Sequence, residues 1–291
     1  MSTQITTAFV EQYSSNVSML SQQMGSKLRG AVDVETVRGK NAFFDQIGAT
    51  AAVARTTRHG ATPQVNTPHS RRRVSLADYE WADLIDDLDK VRMLVDPTSN
   101  YAKAAAAAMN RSIDDIIITA LGGSADTGVA GGTAVALPSS SKFSTAQQTD
   151  GLTIAKLLET KYFFDNGDVD PSLKRYFVCG PKQIQDLLAT TEVKSSDFHT
   201  VKALAQGSIS SFLGFEFIMS TRLNNDATNT DDRLCFGFTE DAIKLAIGAD
   251  VKAKITERDD KSYATQVYYC MSIGATRMEE EKVVEIQAHE A

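Results

Sequence analysis

The stretch IKLAIGADVKAKITERDDKSYATQVYYCMSI, residues 243–273, decides how this chain folds. Every odd position from Ile243 to Ile255 is apolar or alanine, while the even positions include Lys244, Asp250, Lys252 and Lys254. Strict alternation puts one set of side chains on each face of a strand. At ~3.3 Å per residue the run reaches about 40 Å, twice the usual strand. ERDDKS turns the chain, and Tyr263, Thr265, Val267, Tyr269, Met271 and Ile273 return in phase. Two long strands therefore lie side by side near the C-terminus.

A partner of similar reach lies upstream. Asp96 is placed to cap a helix and Pro97 suits its first turn. TSNYAKAAAAAMNRSIDDIIITAL, residues 98–121, then runs unbroken to Gly122-Gly123. Such a helix is about 36 Å long. Tyr101, Ala105, Met109, Ile113, Ile116 and Ala120 are assigned to one face, and the five alanines at 104–108 make a thin rod that another backbone can approach. Helix and strands of matched length predict a narrow, elongated lobe.

Residues 151–242 read as a compact α/β lobe. GLTIAKLLETKYFF and PKQIQDLLATTEV are helical, as is SSDFHTVKALAQG; KRYFVCG, FLGFEFIMS and RLCFGF are short strands. The glycine-rich segment 122–143 contains neither a Gly-Lys-Ser/Thr triplet nor GxGxxG, and it follows a helix where a phosphate loop precedes one. It reads as a turn or short hairpin.

The N-terminal third is different in character. Phe9, Tyr13, Val17, Leu20, Met24 and Leu28 recur at helical spacing over residues 5–28, predicting an amphipathic helix. Its narrow stripe needs a surface, either on its own body or on a neighbouring molecule. Residues 46–77 contain no acid, yet Arg55, Arg58, His59, His69, Arg71, Arg72 and Arg73 fall within them. The run GATAAVARTTR (48–58) is expected to rise as a strand and RRRVSLADYEW (71–81) to return, with Pro63 and Pro68 breaking regular pairing at the tip. A two-stranded arm with so little to bury is marginal alone. Five arginines without local partners point to an acidic surface elsewhere; the acids Glu80, Asp83, Asp86, Asp87 and Asp89 follow at once.

Composition bounds the function. The chain has 291 residues, 42% of them hydrophobic, enough for a sizeable core and two lobes. A formal net charge of -7 argues against a dedicated nucleic-acid reader. Cys179, Cys235 and Cys270 are far apart and form no CxxC pair, so they read as small half-buried residues in a reducing compartment. No apolar run reaches the length of a membrane span, and no membrane partner is expected. There is no GxSxG or HExxH. DNGDVD at 165–170 lacks the downstream glutamate of a calcium loop, and Asp86, Asp87 and Asp89 read as a solvated or arginine-paired face. No catalytic residue, metal or cofactor is assigned, and the chain is not read as an enzyme.

The order of elements resembles the major capsid protein of tailed bacteriophages, a fold shared with encapsulins. VDPTSNYAKAAAAAMNRSIDDIIITAL resembles the entry into its spine helix; YFVCGPKQIQDLLATTEV with GSISSFLGFEFIMSTRL resembles its axial domain; GFTEDAIKLAIGADVKAKITERDDKSYATQVYYCMSIGATRMEEEKVVEI resembles its peripheral strands and the return to the axial domain. The resemblance implies an α+β fold. Its parts are an N-terminal arm (1–45), an extended β-hairpin loop (46–83), a peripheral domain with spine helix (84–150), an axial domain (151–242), long peripheral antiparallel strands (243–278) and a C-terminal return (279–291). It implies an icosahedral virion shell of hexamers and pentamers around double-stranded DNA held without sequence specificity, assembled in the host cytoplasm. In that setting the arginines of the loop would meet the acids of the next copy, and Phe9, Tyr13, Val17, Leu20 and Met24 would pack the arm. Portal and decoration proteins are implied as partners. Two departures carry expectations. No lysine lies between Lys40 and Lys90, so covalent cross-linking through the loop is not expected. The chain begins almost at the arm, so a separate scaffolding protein is expected. An encapsulin-type nanocompartment and a cytosolic nucleotide-binding enzyme are the alternatives.

Overall fold

The computed structural model describes residues 20–86, 98–143, 150–189 and 211–290. The chain divides into two units. The first comprises residues 1–25, 78–112 and 249–271, and the second comprises 26–77, 113–248 and 272–291.

The long strands are β12 (Ile243–Arg258) and β13 (Ala264–Arg277). They are the middle of a four-stranded sheet ordered β1-β12-β13-β4, with β1 at Asp33–Thr36 and β4 at Ala77–Ile85. β1 runs parallel to β12, Asp33 facing Lys244. The alternation foreseen in β12 buries Ile243, Leu245 and Ile247, but Ala253 and Ile255 on the same face stay exposed.

The long helix is α1 (Thr98–Gly122). Beyond Met109 its buried positions are Ile113, Ile117 and Leu121, with Asp114 and Ile118 beside them. Ile116 and Ala120, expected on that face, are only half-buried. Four-residue steps from Ala105 carry the covered stripe onto 113, 117 and 121, and a second row at 114 and 118 widens it beyond a single seam. In the first unit, Ala105, Ala107 and Met109 of α1 are buried, as are Ile85, Val267 and Met271.

The second unit holds a six-stranded sheet ordered β7-β14-β11-β8-β10-β9. These are β7 (Lys142–Phe143), β8 (Arg175–Cys179), β9 (Ser211–Phe212), β10 (Phe215–Met219), β11 (Asp232–Thr239) and β14 (Val283–His289). Helices α2 (Ile154–Asn166) and α3 (Pro181–Ala189) belong to this lobe. The Thr153 side chain accepts from the Lys156 amide and caps α2. Phe164, tilted, and Phe177, edge-on, both pack against Phe215 at 6.1 Å between ring centroids, giving the lobe an aromatic centre. The helix foreseen at 195–207 lies outside the described residues.

A third sheet is ordered β2-β3-β5-β6, with β2 (Asn41–Ile47), β3 (His69–Ser75), β5 (Ala125–Thr127) and β6 (Thr133–Val135). The glycine-rich segment is thus a short hairpin, β5–β6. Two expectations are corrected here. The rising strand is Asn41–Ile47, not 48–58, because Phe44 and Val74 are buried together with Ala246 and Met278, while 48–58 is exposed throughout, Val53 included. The returning run is two strands with different neighbours, broken at Leu76, whose amide donates to the Lys40 carbonyl. Residues 20–28 form no α-helix, so the helix foreseen over 5–28 does not reach its C-terminal third; Phe9, Tyr13 and Val17 lie outside the described residues.

Candidate functional site

The β2–β3 stem is fastened from several sides. Each of the three consecutive arginines on β3 meets an acid of its own chain. Arg71 Nε donates to Asp45 Oδ1 at 2.5 Å across the β2–β3 register, and Arg73 Nη2 donates to Asp126 Oδ2 at 2.5 Å on β5. Arg72, which is buried, donates from Nη2 to both Glu280 oxygens at 2.7 Å and from Nε to the Met278 carbonyl at 2.9 Å. Gln46 Nε2 on β2 reaches the same carbonyl at 2.8 Å. Fully buried Arg277 donates to the Leu121 and Gly123 carbonyls at the end of α1 and to the Val135 carbonyl of β6, and lies 3.8 Å from Glu280. Burial pushes the Arg277 guanidinium down from its ordinary value, and Arg72 adds to that, while Glu280 and Glu285 oppose it. Gly131 completes the fastening. Its φ is +65°, and a Cβ there would lie 2.5 Å from the Arg73 side chain.

Beyond the stem the chain is unsupported. The Gly48 amide donates to the Pro68 carbonyl at 2.9 Å, and every residue from 47 to 70 is exposed, including Val53 (58%) and Val65 (46%). Arg55 Nε donates to the Thr57 carbonyl within a local turn, where His59 sits at φ 65°. Among the described residues, neither Arg55 nor Arg58 makes an ion pair. At the root of this finger is an open groove of about 560 Å³ lined by Asp45, His69, Ser70, Arg71, Thr127, Gly128 and Val129. Arg71 beside Asp45 holds that carboxyl below its ordinary 3.8.

A second anchorage holds residues 22–28. Buried Asp114 accepts from Ser26 Oγ at 2.5 Å and from the Lys27 and Leu28 amides at 3.1 Å. Lys27 Nζ donates to the Met219 carbonyl. In the other unit, Asn110 Nδ2 reaches the Met24 carbonyl, and Arg111 Nη1 reaches Gln22 Oε1 and the Gln23 carbonyl. Leu20 and Met24 remain exposed there.

Comparison with protein families matches residues 5–290 to the family described as phage capsid protein. The chain belongs to the phage capsid protein family. Among solved structures, it is similar to the capsid of cyanophage P-SCSP1u, with 16% identity, 100% of this chain and 96% of that chain covered, and a TM-score of 0.78. It is similar to Mycobacterium phage Che8, with 17% identity, 96% and 97% covered, and a TM-score of 0.70. The capsid of cyanophage Pam1 aligns with 13% identity, 98% and 98% covered, and a TM-score of 0.73. No curated protein matches. This capsid protein is a structural shell component with the α+β fold of phage major capsid proteins; neither alternative reading is favoured.

Within the capsid protein, the foreseen interface residues separate into classes. Arg71, Arg72 and Arg73 are not the partnerless charges that the sequence suggested, because folding brings Asp45, Glu280 and Asp126 to them. His69 stands at the groove, opposite Ile47. Among the acids, Glu80 accepts from the Tyr268 hydroxyl at 2.9 Å, and that bond is the main reason the phenol is pushed up to about 12. Asp83 accepts from the Leu84 amide, and Asp86 is exposed. Asp87 and Asp89 lie outside the described residues. In the same unit as Glu80, Leu84, Ile255 (51%) and Tyr263 (64%) are exposed apolar surface. Sequence reasoning missed Asp114, Arg277 and Glu280. A signal existed for the first: Asp114 and Asp115 interrupt an isoleucine-rich helical run in RSIDDIII, where an acid on the covered face must be serving a buried donor.

Proposed function

We propose that this capsid protein self-assembles into hexamers and pentamers that close an icosahedral virion shell around the double-stranded DNA of a tailed phage, in the host cytoplasm. The observation that carries the reading is the contrast at Gly48–Pro68: a stem fastened by buried charge, and beyond it an uninterrupted exposed run bearing Val53, Val65, Arg55 and Arg58. Evolution of such a finger in a lone subunit would leave apolar and cationic groups without use. A neighbouring copy supplies both kinds of contact, and the loop is its extended arm. Arg55 and Arg58 then meet acids of the next copy, among them Glu80, Asp83, Asp86 and the two aspartates that follow. Exposed pairs contribute only ~0–1 kcal/mol each, so they set register while apolar burial supplies strength. The separate scaffolding protein, portal, decoration proteins and nonspecifically held DNA belong to the same reading.

The test is a double variant, Arg55→Ala with Arg58→Ala. Unfolding of the unassembled subunit is expected to stay within about 0.5 kcal/mol of the parent. The yield of closed shells by electron microscopy is expected to fall several-fold, with a steeper dependence on salt in the parent. Normal shells from the double variant would overturn the role given to the finger.

A further inference from the structure

β8 and β11 run antiparallel, with Phe236 opposite Val178 and Thr239 opposite Arg175. Carried one step further, the same register sets Cys235 opposite Cys179. Which kind of pair they make follows from one hydrogen bond. The Glu240 amide donates to the Lys174 carbonyl at 3.1 Å, so 240/174 is a bonded pair. Bonded and non-bonded pairs alternate along an antiparallel ladder, which makes 238/176 and 236/178 bonded and 235/179 non-bonded. The Cys179 carbonyl agrees, being taken by the Ser220 amide at 2.9 Å on the other side. In a non-bonded pair the Cα atoms stand ~4.5 Å apart with side chains on one face, inside the roughly 4.4–6.8 Å that a disulfide spans. Both thiols are free and fully buried, while Cys270 lies on β13 in a different sheet. The shell reading makes no use of this pair, and the inference does not rest on it.

We propose that Cys179 and Cys235 form a redox modification site, a dithiol that a low-molecular-weight disulfide oxidises to a cross-strand disulfide tying β8 to β11. One of the two thiols loses its proton to solvent, and its thiolate attacks one sulfur of the small disulfide; that S–S bond breaks and a small thiol leaves. The other cysteine then gives up its proton and attacks the protein sulfur of the mixed disulfide, expelling the second small thiol. Two protein thiols are oxidised by two electrons and one small disulfide is reduced to two thiols. Burial pushes both thiols up, Cys179 to about 12 and Cys235 well above its ordinary value, where Cys179 and Glu290 add to the effect and the Gly180 amide and Lys156 oppose it, so either can attack first once exposed. In the closed sheet burial dominates both, so the reaction waits for local opening. The site therefore stays reduced in a reducing cytosol and closes on long exposure to an oxidising medium. β8 lies inside the sheet, between β11 and β10, so the bond would fasten the lobe at its interior.

The assembled full-length protein is incubated with oxidised glutathione over days at neutral pH. It is then blocked with N-ethylmaleimide in denaturant and digested without reduction. The expected result is a linked pair of peptides carrying Cys179 and Cys235, lighter by two hydrogens, with Cys270 outside the link. Thermal unfolding should shift upward by several degrees and return after dithiothreitol, a shift that Cys235→Ala does not show. Both thiols still open to N-ethylmaleimide would overturn the proposal, as would one glutathione on each cysteine or a link to Cys270. The peptide readout uses the parent protein and stands whether or not the alanine variant folds.

Discussion

Among the described residues, Glu280 is the acid that forms an ion pair with both buried guanidiniums, Arg72 and Arg277, and Glu280→Gln tests the fastening of the stem. The amide keeps the shape and removes the charge. Arg72 loses a bidentate partner at 2.7 Å and Arg277 loses its counter-charge at 3.8 Å. At an effective dielectric near 20, one such pair amounts to about 4 kcal/mol of gross attraction. Stripping one partner from a buried pair costs about 3–5 kcal/mol. The Glu280 side chain keeps 22% of its exposure, and Gln can still accept one bond, so the lower end applies. We expect a loss of about 3 kcal/mol, or of order 10 °C in melting temperature for a chain of this size. The assay is urea unfolding of the unassembled subunit as a double-mutant cycle with Arg72→Met. That second change removes one of the two unbalanced cations, so the double variant should be less damaged than the sum by about 1–3 kcal/mol. A loss below about 1 kcal/mol for Glu280→Gln, or strict additivity in the cycle, would refute the account of the stem.

Other outcomes are expected. Asp114→Ala leaves the Lys27 and Leu28 amides without their acceptor, at a cost of about 2–4 kcal/mol, and hydrogen exchange at those two amides should quicken at least tenfold. Gly131→Ala forces a side chain onto Arg73 at a positive φ, so a cost of about 1–3 kcal/mol should appear in unfolding, with Gly132→Ala as the mild control. Arg233 is the chief reason that the Glu290 carboxyl lies below its ordinary 4.5. A depressed carboxylate contributes stability above 4.5 that is lost as pH falls through its folded value, so the pH slope of stability below 4.5 should flatten in Glu290→Gln.

What could be read from the chain was what repeats locally. The period-two run from Ile243 and the 98–121 helix announced themselves because each residue's neighbours in sequence are its neighbours on a face. β2 did not, since NAFFDQI is short, and its covered face, half-buried Ala42 and Gln46 on either side of buried Phe44, mixes apolar with polar. The acid-free run beside it carried a louder signal and drew the strand assignment away. The arginine triplet was legible as charge but not as partnership: its acids lie 26, 53 and 208 residues away. The cysteine pair was hidden for the same reason, because adjacency across a ladder depends on register. Asp114 belongs between these cases, visible as an oddity on an apolar helix face but silent about which backbone it serves.

The close of the ladder at Gly48–Pro68 gives the finger a built-in support in the mechanical sense, clamped at its root and free along its length. Load applied to the tip of such a cantilever is greatest at the clamp, and here the clamp is Met278, Glu280 and the terminal carbonyls of α1. Tugging on one copy would thus be felt first where its longest helix ends, before any strand of the stem peels.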